Sequence, residues 1–354
     1  MGEVAAVEPG KGAIGAPLEK VEFGLILALT IRGLALGTYE DIRRVGVTAE
    51  QLGFDSLWMC DHFLTLDPDA YAGELNLDGE RSGQDTGPAT MPLLECWTTI
   101  SALSRDTERI NVGTSVLCNN YREPAVLAKM AATLDVISGG RVELGIGAGW
   151  FEAEYTAYGF DFPPAKVRVS QLEESLEIIR RVWTDADPTF EGEHYRISGA
   201  VCDPRPVQDP YPRIWVGGEG DRVHRISSRL ATGFNARWWS PERFAERATF
   251  LAEACATHGR DPSTLHSSAT LAVICSYDAD DVARQRARFT AIPEDGFVLG
   301  DPERCTERLK AYVDAGVHHF LFTVPDVADT ETLQLLGTHV LPAVREYAAA
   351  RAGR

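Results

Sequence analysis

Short apolar runs alternate with segments of helical periodicity along most of the chain. Runs with a two-residue period predict strands, and apolar residues spaced three and four apart predict helices. The predicted strands are residues 23–28, 56–59, 110–116, the start of 142–150, 214–216, 232–236, 269–276 and 319–324. The predicted helices are about 39–52, 92–104, 123–137, a long helix begun by Pro163 and Pro164, 221–230, 241–258, parts of 279–290 and 302–315, and 330–349.

Eight strands, each followed by helical sequence, predict an α/β fold: a single (β/α)8 TIM barrel with insertions after strands two and four. A doubly wound parallel sheet is the alternative, but it rarely needs eight such units. The insertions, residues 64–91 and 151–213, follow strand ends on the face where such barrels build their active sites. Within the second, residues 184–213 are proline-rich and predict an irregular connection. We expect one barrel domain over residues 21–350 and a loose tail over residues 1–20.

Composition narrows the class of protein. The chain is 44% hydrophobic and 24% charged, as in a globular protein with a substantial core. A net charge of −18 argues against nucleic acid or an anionic membrane as a partner. Neither a membrane span nor a signal peptide is predicted. Seven scattered cysteines without a C-x-x-C pair indicate reduced thiols in the cytoplasm and no zinc site.

The stretch V-E-L-G-I-G-A-G-W, residues 142–150, has the pattern of a cofactor-binding site. Its glycines Gly145, Gly147 and Gly149 allow a tight turn and close approach of a flat or phosphorylated ligand. Trp150 follows at the exit. The spacing is not the G-x-G-x-x-G of a dinucleotide-binding fold, so that alternative is disfavoured.

A second glycine turn, G-G-E-G at residues 217–220, leads directly into a predicted helix. Free backbone N–H groups at a helix N-terminus suit a phosphate. Residues 213–247 carry seven arginines against four acids, which favours an anion there. The alternative is an ordinary tight turn with solvated arginines.

Other polar groups lie at predicted strand ends and would meet at one mouth of the barrel. His62, beside Asp61, can donate a hydrogen bond or a proton near neutral pH, or can simply pack in its loop. Strand one carries no histidine pair, so a catalytic metal is not expected. Cys118 is interpreted as a buried or lining thiol, and at least one of Trp150, Trp238 and Trp239 as pocket wall.

Four blocks of sequence resemble the bacterial luciferase-like flavin and deazaflavin superfamily. They are L-G-F-D-S-L-W-M-C-D-H-F (52–63), R-I-N-V-G-T-S-V-L (109–117), the run from residue 127 to Trp150, and P-R-P-V-Q-D-P-Y-P-R-I-W-V-G-G (204–218). The chain most resembles the actinobacterial subgroup that uses coenzyme F420 rather than FMN. The resemblance implies a barrel that seats the tricyclic ring at its C-terminal mouth, and a homodimer.

The resemblance also assigns individual residues. The family's histidine near the ring matches His62, its non-proline cis peptide falls at Ser115–Val116, its glycine turn at residues 147–149 and its phosphate loop at residues 217–220. Relatives that oxidise sugar 6-phosphates carry a glutamate where this chain has Trp150, with Glu152 two residues on. That difference argues against a sugar phosphate dehydrogenase. It leaves the proton donor open between His62, Glu152 and an acidic group in residues 64–91.

We therefore expect an F420-dependent oxidoreductase that transfers a hydride between the deazaflavin and a small organic substrate, reducing an activated C=C or C=N bond. The alternatives are an FMN-dependent luciferase-like monooxygenase and a non-catalytic flavin-binding barrel. The acidic insertion suits a neutral or cationic substrate, or is a solvated lid. The predicted catalytic residues are His62 and Glu152. The predicted cofactor-binding residues are Asp61, His62, Thr114, Ser115, Val116, Gly147, Ala148, Gly149, Trp150, Tyr155, Gly217, Gly218, Glu219, Gly220 and Asn235.

Overall fold

A computed structural model describes residues 14, 20–28, 36–65, 92–287, 292–325, 327 and 330–352. The predicted tail over residues 1–20 lies almost wholly outside these residues, as does most of the insertion at 64–91. Among the described helices, none has the length and apolar character needed to span a membrane.

The described strands fall close to the predicted ones. They are β1 (Glu22–Ala28), β2 (Ser56–Met59), β3 (Asn111–Thr114), β4 (Leu117–Cys118), β5 (Val142–Gly147), β6 (Phe190–Glu191), β7 (Arg196–Ile197), β8 (Arg213–Gly217), β9 (Gly233–Arg237), β10 (His266–Cys275), β11 (Phe297–Gly300) and β12 (His319–Thr323).

Helices follow the strands. They are α1 (Tyr39–Gln51), α2 (Cys96–Asp106), α3 (Pro124–Ser138), α4 (Glu152–Tyr158), α5 (Ala165–Thr184), α6 (Asp221–Leu230), α7 (Pro241–Thr257), α8 (Ala279–Arg286), α9 (Pro302–Asp314), α10 (Thr330–Leu335) and α11 (Leu341–Ala352). Many begin where a side chain accepts from the first turn, such as Thr38 before α1 and Ser240 before α7.

The parallel strands close into a barrel in the order β1, β2, β3, β5, β8, β9, β10 and β12, with β12 pairing back to β1. The (β/α)8 prediction is confirmed. Some local features were missed, including helix α4 in the insertion that follows β5. Strand β11 pairs with β10 as an extra parallel strand. Strands β6 and β7 form a short antiparallel hairpin inside the stretch predicted to be irregular.

Tryptophans fill the inside of the barrel. Trp58 and Trp215 meet edge to face, with ring centroids 6.4 Å apart, and pack with Ile26 and Leu321. Room for these rings comes from glycines on neighbouring strands: a Cβ added to Gly113 would lie 2.7 Å from Trp58. The layer is the floor under the open end of the barrel.

A buried ionic group supports that floor. Glu143 accepts hydrogen bonds from the indole of Trp215 (2.5 Å) and from Asn111 (2.8 Å), and it also pairs with Arg213. Arg213 pairs in turn with Glu22 at 2.8 Å. Although burial opposes it, this pairing with two carboxylates raises the pKa of Arg213 above its ordinary value. Arg213 therefore belongs to the closed end of the barrel, not to a ligand site at the mouth.

We predict that Gly113→Ala lowers the free energy of unfolding by roughly 1–3 kcal/mol, because the new methyl group would collide with the Trp58 ring. Gly37→Ala is the control, since its Cβ would have no neighbour nearer than 3.9 Å. Denaturant titration measures both. Equal stabilities for the two variants would contradict this account of the barrel interior.

Candidate active site

A cavity of about 510 Å³ opens at the C-terminal ends of the barrel strands. Each barrel strand, or the loop that follows it, supplies part of the wall. In chain order these contributors are Ile26, His62, Ser115, Gly147, Gly217, Asn235, Thr270 and Thr323. Residues far apart in sequence thus converge at the place where this fold holds its ligands.

Most of the predicted site residues line this cavity. They are His62, Ser115, Val116, Gly147, Ala148, Gly149, Trp150, Gly217, Gly218, Glu219, Gly220 and Asn235. Of the three candidate tryptophans, Trp150 and Trp238 are in the wall. Trp239 is buried in the main core instead.

Three predicted residues lie behind the wall. Asp61 is buried and pairs with Arg122 through both carboxylate oxygens (2.7 and 3.0 Å). Thr114 bonds to both the N–H and the C=O of Gly145. The Tyr155 hydroxyl lies 3.0 Å from the Cys118 sulfur. These contacts fix the strand ends without reaching the ligand space.

Glu152 is the predicted catalytic residue that does not line the cavity. It is exposed at the first position of α4.

Val116 forms a ridge between two glycine-ended strands. The Ser115–Val116 bond is cis, as the family resemblance implied. A Cβ on Gly147 would lie 2.9 Å from Val116, and one on Gly217 would lie 3.1 Å from it. Gly149 has φ +74°, and a Cβ there would lie 2.1 Å from the Tyr155 hydroxyl. These glycines therefore make room for Val116 and Tyr155 as well as for any ligand.

The buried carboxylate of Glu154 is the site residue that the sequence interpretation missed. One oxygen lies 2.9 Å from His62 Nδ1 and accepts from the Tyr121 hydroxyl at 2.9 Å. The other accepts the backbone N–H groups of Phe63 (2.7 Å) and Leu64 (2.9 Å). An ionised carboxylate only accepts hydrogen bonds, so His62 Nδ1 carries the proton in this contact. Nε2 is then the imidazole nitrogen that remains for a ligand.

The glycine turn at residues 217–220 leads into α6, and no side chain caps that helix at Gly220. A Cβ on Gly220 would meet no atom within 4 Å, so the turn faces open space. Uncapped N–H groups at the positive end of a helix suit a phosphate.

The local excess of arginine has a different meaning from the one predicted. Most of these arginines form salt bridges with nearby carboxylates of the protein. Arg222 and Arg229 pair with Glu173, Arg243 pairs with Glu219, and Arg247 pairs with Asp221. Among the described residues that line the cavity, the cationic ones are Arg168 and Arg237.

His224 holds the glycine turn from behind. Its Nε2 lies 3.1 Å from the carbonyl oxygen of Gly218, and Arg247 donates to its Nδ1 at 2.5 Å. Burial, followed by the charge of Arg247, lowers the pKa of His224 to about 4. The imidazole is therefore neutral near pH 7.

The described residues do not favour a nucleophilic cysteine or a metal centre. Burial raises the pKa of the Cys118 thiol to about 11 and that of Cys60 to about 12, so both stay protonated near neutral pH. In the part of the chain that the structure describes, no group of three or more His, Cys, Asp or Glu side chains is placed to hold a metal ion.

The fold and the cavity define a TIM barrel with a glycine-rich cavity at its mouth, and sequence comparison gives the family. The model of the luciferase-like monooxygenase family matches residues 21–294. The chain belongs to this family.

The similar curated proteins include F420-dependent glucose-6-phosphate dehydrogenases. The protein from Microbacterium testaceum is 31% identical over 337 residues, which cover 85% of this chain and 92% of that one. The protein from Amycolatopsis mediterranei is 28% identical, over 86% of this chain and 94% of that one.

Solved structures share the fold. An F420-dependent secondary alcohol dehydrogenase in complex with an F420–acetone adduct aligns with TM-score 0.75 and 20% identity, over 92% of this chain and 99% of that one. The F420-dependent tetrahydromethanopterin reductase from Methanopyrus kandleri aligns with TM-score 0.71 and 18% identity, over 91% and 99%.

We predict that Glu154→Gln lowers the free energy of unfolding by roughly 1–3 kcal/mol, because the amide group would face buried N–H or O–H donors. Glu246→Gln, on the exposed face of α7, is the matched control and should change stability little. Denaturant titration of both variants is the measurement. A Glu154 variant as stable as its control would refute the role of this carboxylate.

Because the pKa of His224 is lowered in the folded protein, we predict that stability depends on pH. Between about pH 6.5 and about 4 the unfolded chain binds a proton at this histidine that the folded protein does not, so stability falls as the pH is lowered through this range. Burial also lowers the pKa of His266 and His319, which adds to the effect. His224→Gln should lose less stability than wild type over this range. An identical loss in both proteins, measured by denaturant titration at each pH, would refute the assignment.

Proposed function

We propose that this protein is an oxidoreductase that uses coenzyme F420. The observation that carries the proposal is the glycine-rich cavity with an uncapped helix N-terminus at its edge. It occurs in a chain that is 31% identical, over most of its length, to an F420-dependent dehydrogenase. When bound, the coenzyme supplies a ring carbon that gives or accepts a hydride, while the protein supplies binding, orientation and proton control.

The residues present fit such a group. The ridge at Val116, with Gly147 and Gly217 on either side, offers a surface against which a flat ring can lie. The turn at residues 217–220 and the first N–H groups of α6 would hold the phosphate. His224 fixes the carbonyl of Gly218 and so keeps that turn in position.

We assign proton transfer to His62. Glu154 holds the Nδ1 proton and orients the ring, so that Nε2 can exchange a proton with a substrate atom in the cavity. Glu152 stays a prediction, and its exposed position outside the lining makes it the weaker candidate.

For the reaction we propose reduction of an activated C=C or C=N bond. One atom of that bond would take the hydride and the other would take a proton. The relatives named dehydrogenases transfer a hydride to the coenzyme instead, and a hydride-transfer assay run with reduced and with oxidised F420 distinguishes the two directions.

Substitutions at Gly220 test the cofactor site. Gly220→Asp would place a carboxylate at the N-cap of α6, where it caps the helix and repels a phosphate. We expect F420 affinity to fall about tenfold or more, with thermal stability kept or raised. Gly220→Ala adds no charge and should bind F420 much as wild type does. Equal F420 affinity for both variants would place the phosphate elsewhere.

FMN is the competing cofactor. Titration of wild-type protein with F420 and with FMN decides between them, since tight FMN binding without F420 binding would overturn the proposal. Oxygen consumption with reduced cofactor and substrate would indicate the monooxygenase alternative. A protein that binds F420 and catalyses no hydride transfer would be the non-catalytic barrel.

The homodimer implied by the family resemblance remains a proposal. An apolar groove on the outer face of α2 and α3, with exposed side chains at Val126, Ile137 and Val201, is where we expect a second copy to pack. The molecular mass in solution tests whether the protein forms a dimer.

A further inference from the structure

Aromatic residues at the mouth form a group distinct from the glycine cradle. Trp150, Phe151 and Trp238 line the cavity and pack against a small apolar cluster separate from the main core. That cluster consists of Ala272, Ile274, Ile292 and Phe297. We call the three aromatic residues, together with Ile292, the aromatic wall.

The aromatic wall meets the residue to which we assign proton transfer. The rings of His62 and Trp150 lie edge to face, with centroids 5.6 Å apart. Those of His62 and Phe151 are 6.1 Å apart, and Trp150 and Phe151 are 5.4 Å apart. A molecule lying against Trp150 would therefore be within reach of the imidazole.

The backbone of Trp238 adopts a conformation that is unfavourable in free energy. Its φ is +58°, in a region that bulky side chains rarely occupy. Gly296 permits the close packing, because a Cβ there would lie 2.7 Å from that of Trp238. The backbone N–H of Trp238 also donates to the backbone carbonyl of Thr270 at 3.0 Å. Strained residues held by their surroundings concentrate at ligand sites, and this one lines the cavity.

The charges around the cavity do not favour a second anion. Arg168 donates to the carbonyl groups of Gly149 and Pro163 and stacks on Phe162 at 4.0 Å. Arg237 lies 4.8 Å from the centre of the Trp238 ring. Both guanidinium groups are thus engaged within the protein, and the lining also includes the carboxylates of Glu154 and Glu219.

We propose that the aromatic wall binds a neutral, flat, conjugated substrate, such as an α,β-unsaturated ketone, and that the protein does not act on a sugar phosphate. Flat rings stack on aromatic side chains, and a neutral molecule needs no free cation. This inference rests on the proposed F420-dependent reduction. In that reaction the carbon β to the carbonyl gains a hydride from the reduced coenzyme and the α carbon gains a proton, which yields the saturated ketone and the oxidised coenzyme.

Binding, measured by calorimetry, tests the substrate class without turnover. The ligands are benzylideneacetone, a flat neutral enone, and glucose 6-phosphate. Each is titrated into the apoprotein and into the protein saturated with oxidised F420, which has no hydride to donate. In the F420-saturated protein, where the coenzyme occupies the phosphate turn at residues 217–220, we expect benzylideneacetone to bind more tightly than glucose 6-phosphate.

Two variants test where benzylideneacetone binds. Trp150→Ala should weaken benzylideneacetone binding about tenfold or more, and by a larger factor than it weakens F420 binding. Tyr277→Ala removes a 70% exposed aromatic side chain that does not line the cavity, and it should change neither affinity. Tighter binding of glucose 6-phosphate to the F420-saturated protein, no binding of the enone, or an unchanged enone affinity in the Trp150 variant would each overturn the inference. Failure of F420 itself to bind would refute the proposed function, whereas the apoprotein titration still judges the aromatic wall.

Discussion

The buried carboxylate of Glu154 is the contact on which the arrangement of the mouth depends. It joins three separate parts of the chain: the loop after β2, the tyrosine that follows β4, and helix α4. An unpaired charge at this depth would be costly, and here hydrogen bonds from His62, Tyr121, Phe63 and Leu64 compensate for it. The same contacts orient His62, so the interaction that stabilises the loop also prepares the imidazole for proton transfer.

The glycines serve packing and binding together. Gly147 and Gly217 accommodate Val116, and Gly149 accommodates Tyr155, so an added methyl group would disturb the wall before any ligand arrived. Below the cavity, the layer of Trp58 and Trp215 closes the barrel. At both ends glycines make room for larger side chains: Gly113 for the ring of Trp58 below the cavity, and Gly147, Gly217 and Gly149 at the mouth.

Much of the fold follows from sequence because local periodicity reports each strand and helix separately. The eight barrel strands match the prediction with small differences at their ends, and most of the predicted site residues line the cavity. Strand β11 was missed because it pairs with β10 outside the eight barrel strands, so the alternation of strand and helix is complete without it.

Glu154 was missed because Glu152 is the acid nearer to Trp150, and charge alone does not distinguish the two. A helical signal was present: Phe151, Glu154, Tyr155 and Tyr158 share one face, and that face points inward at Glu154 and Tyr155. The pairing of the arginines depends on partners distant in sequence, such as Glu173 for Arg222 and Arg229, and local counting of charge could not reveal it.

The central claim is that the mouth of this barrel is built for a deazaflavin. The most direct measurement is the absorbance spectrum of the cofactor that remains bound after purification from a host that makes both F420 and FMN. The account predicts the spectrum of F420. Retention of FMN, with no F420, would contradict it.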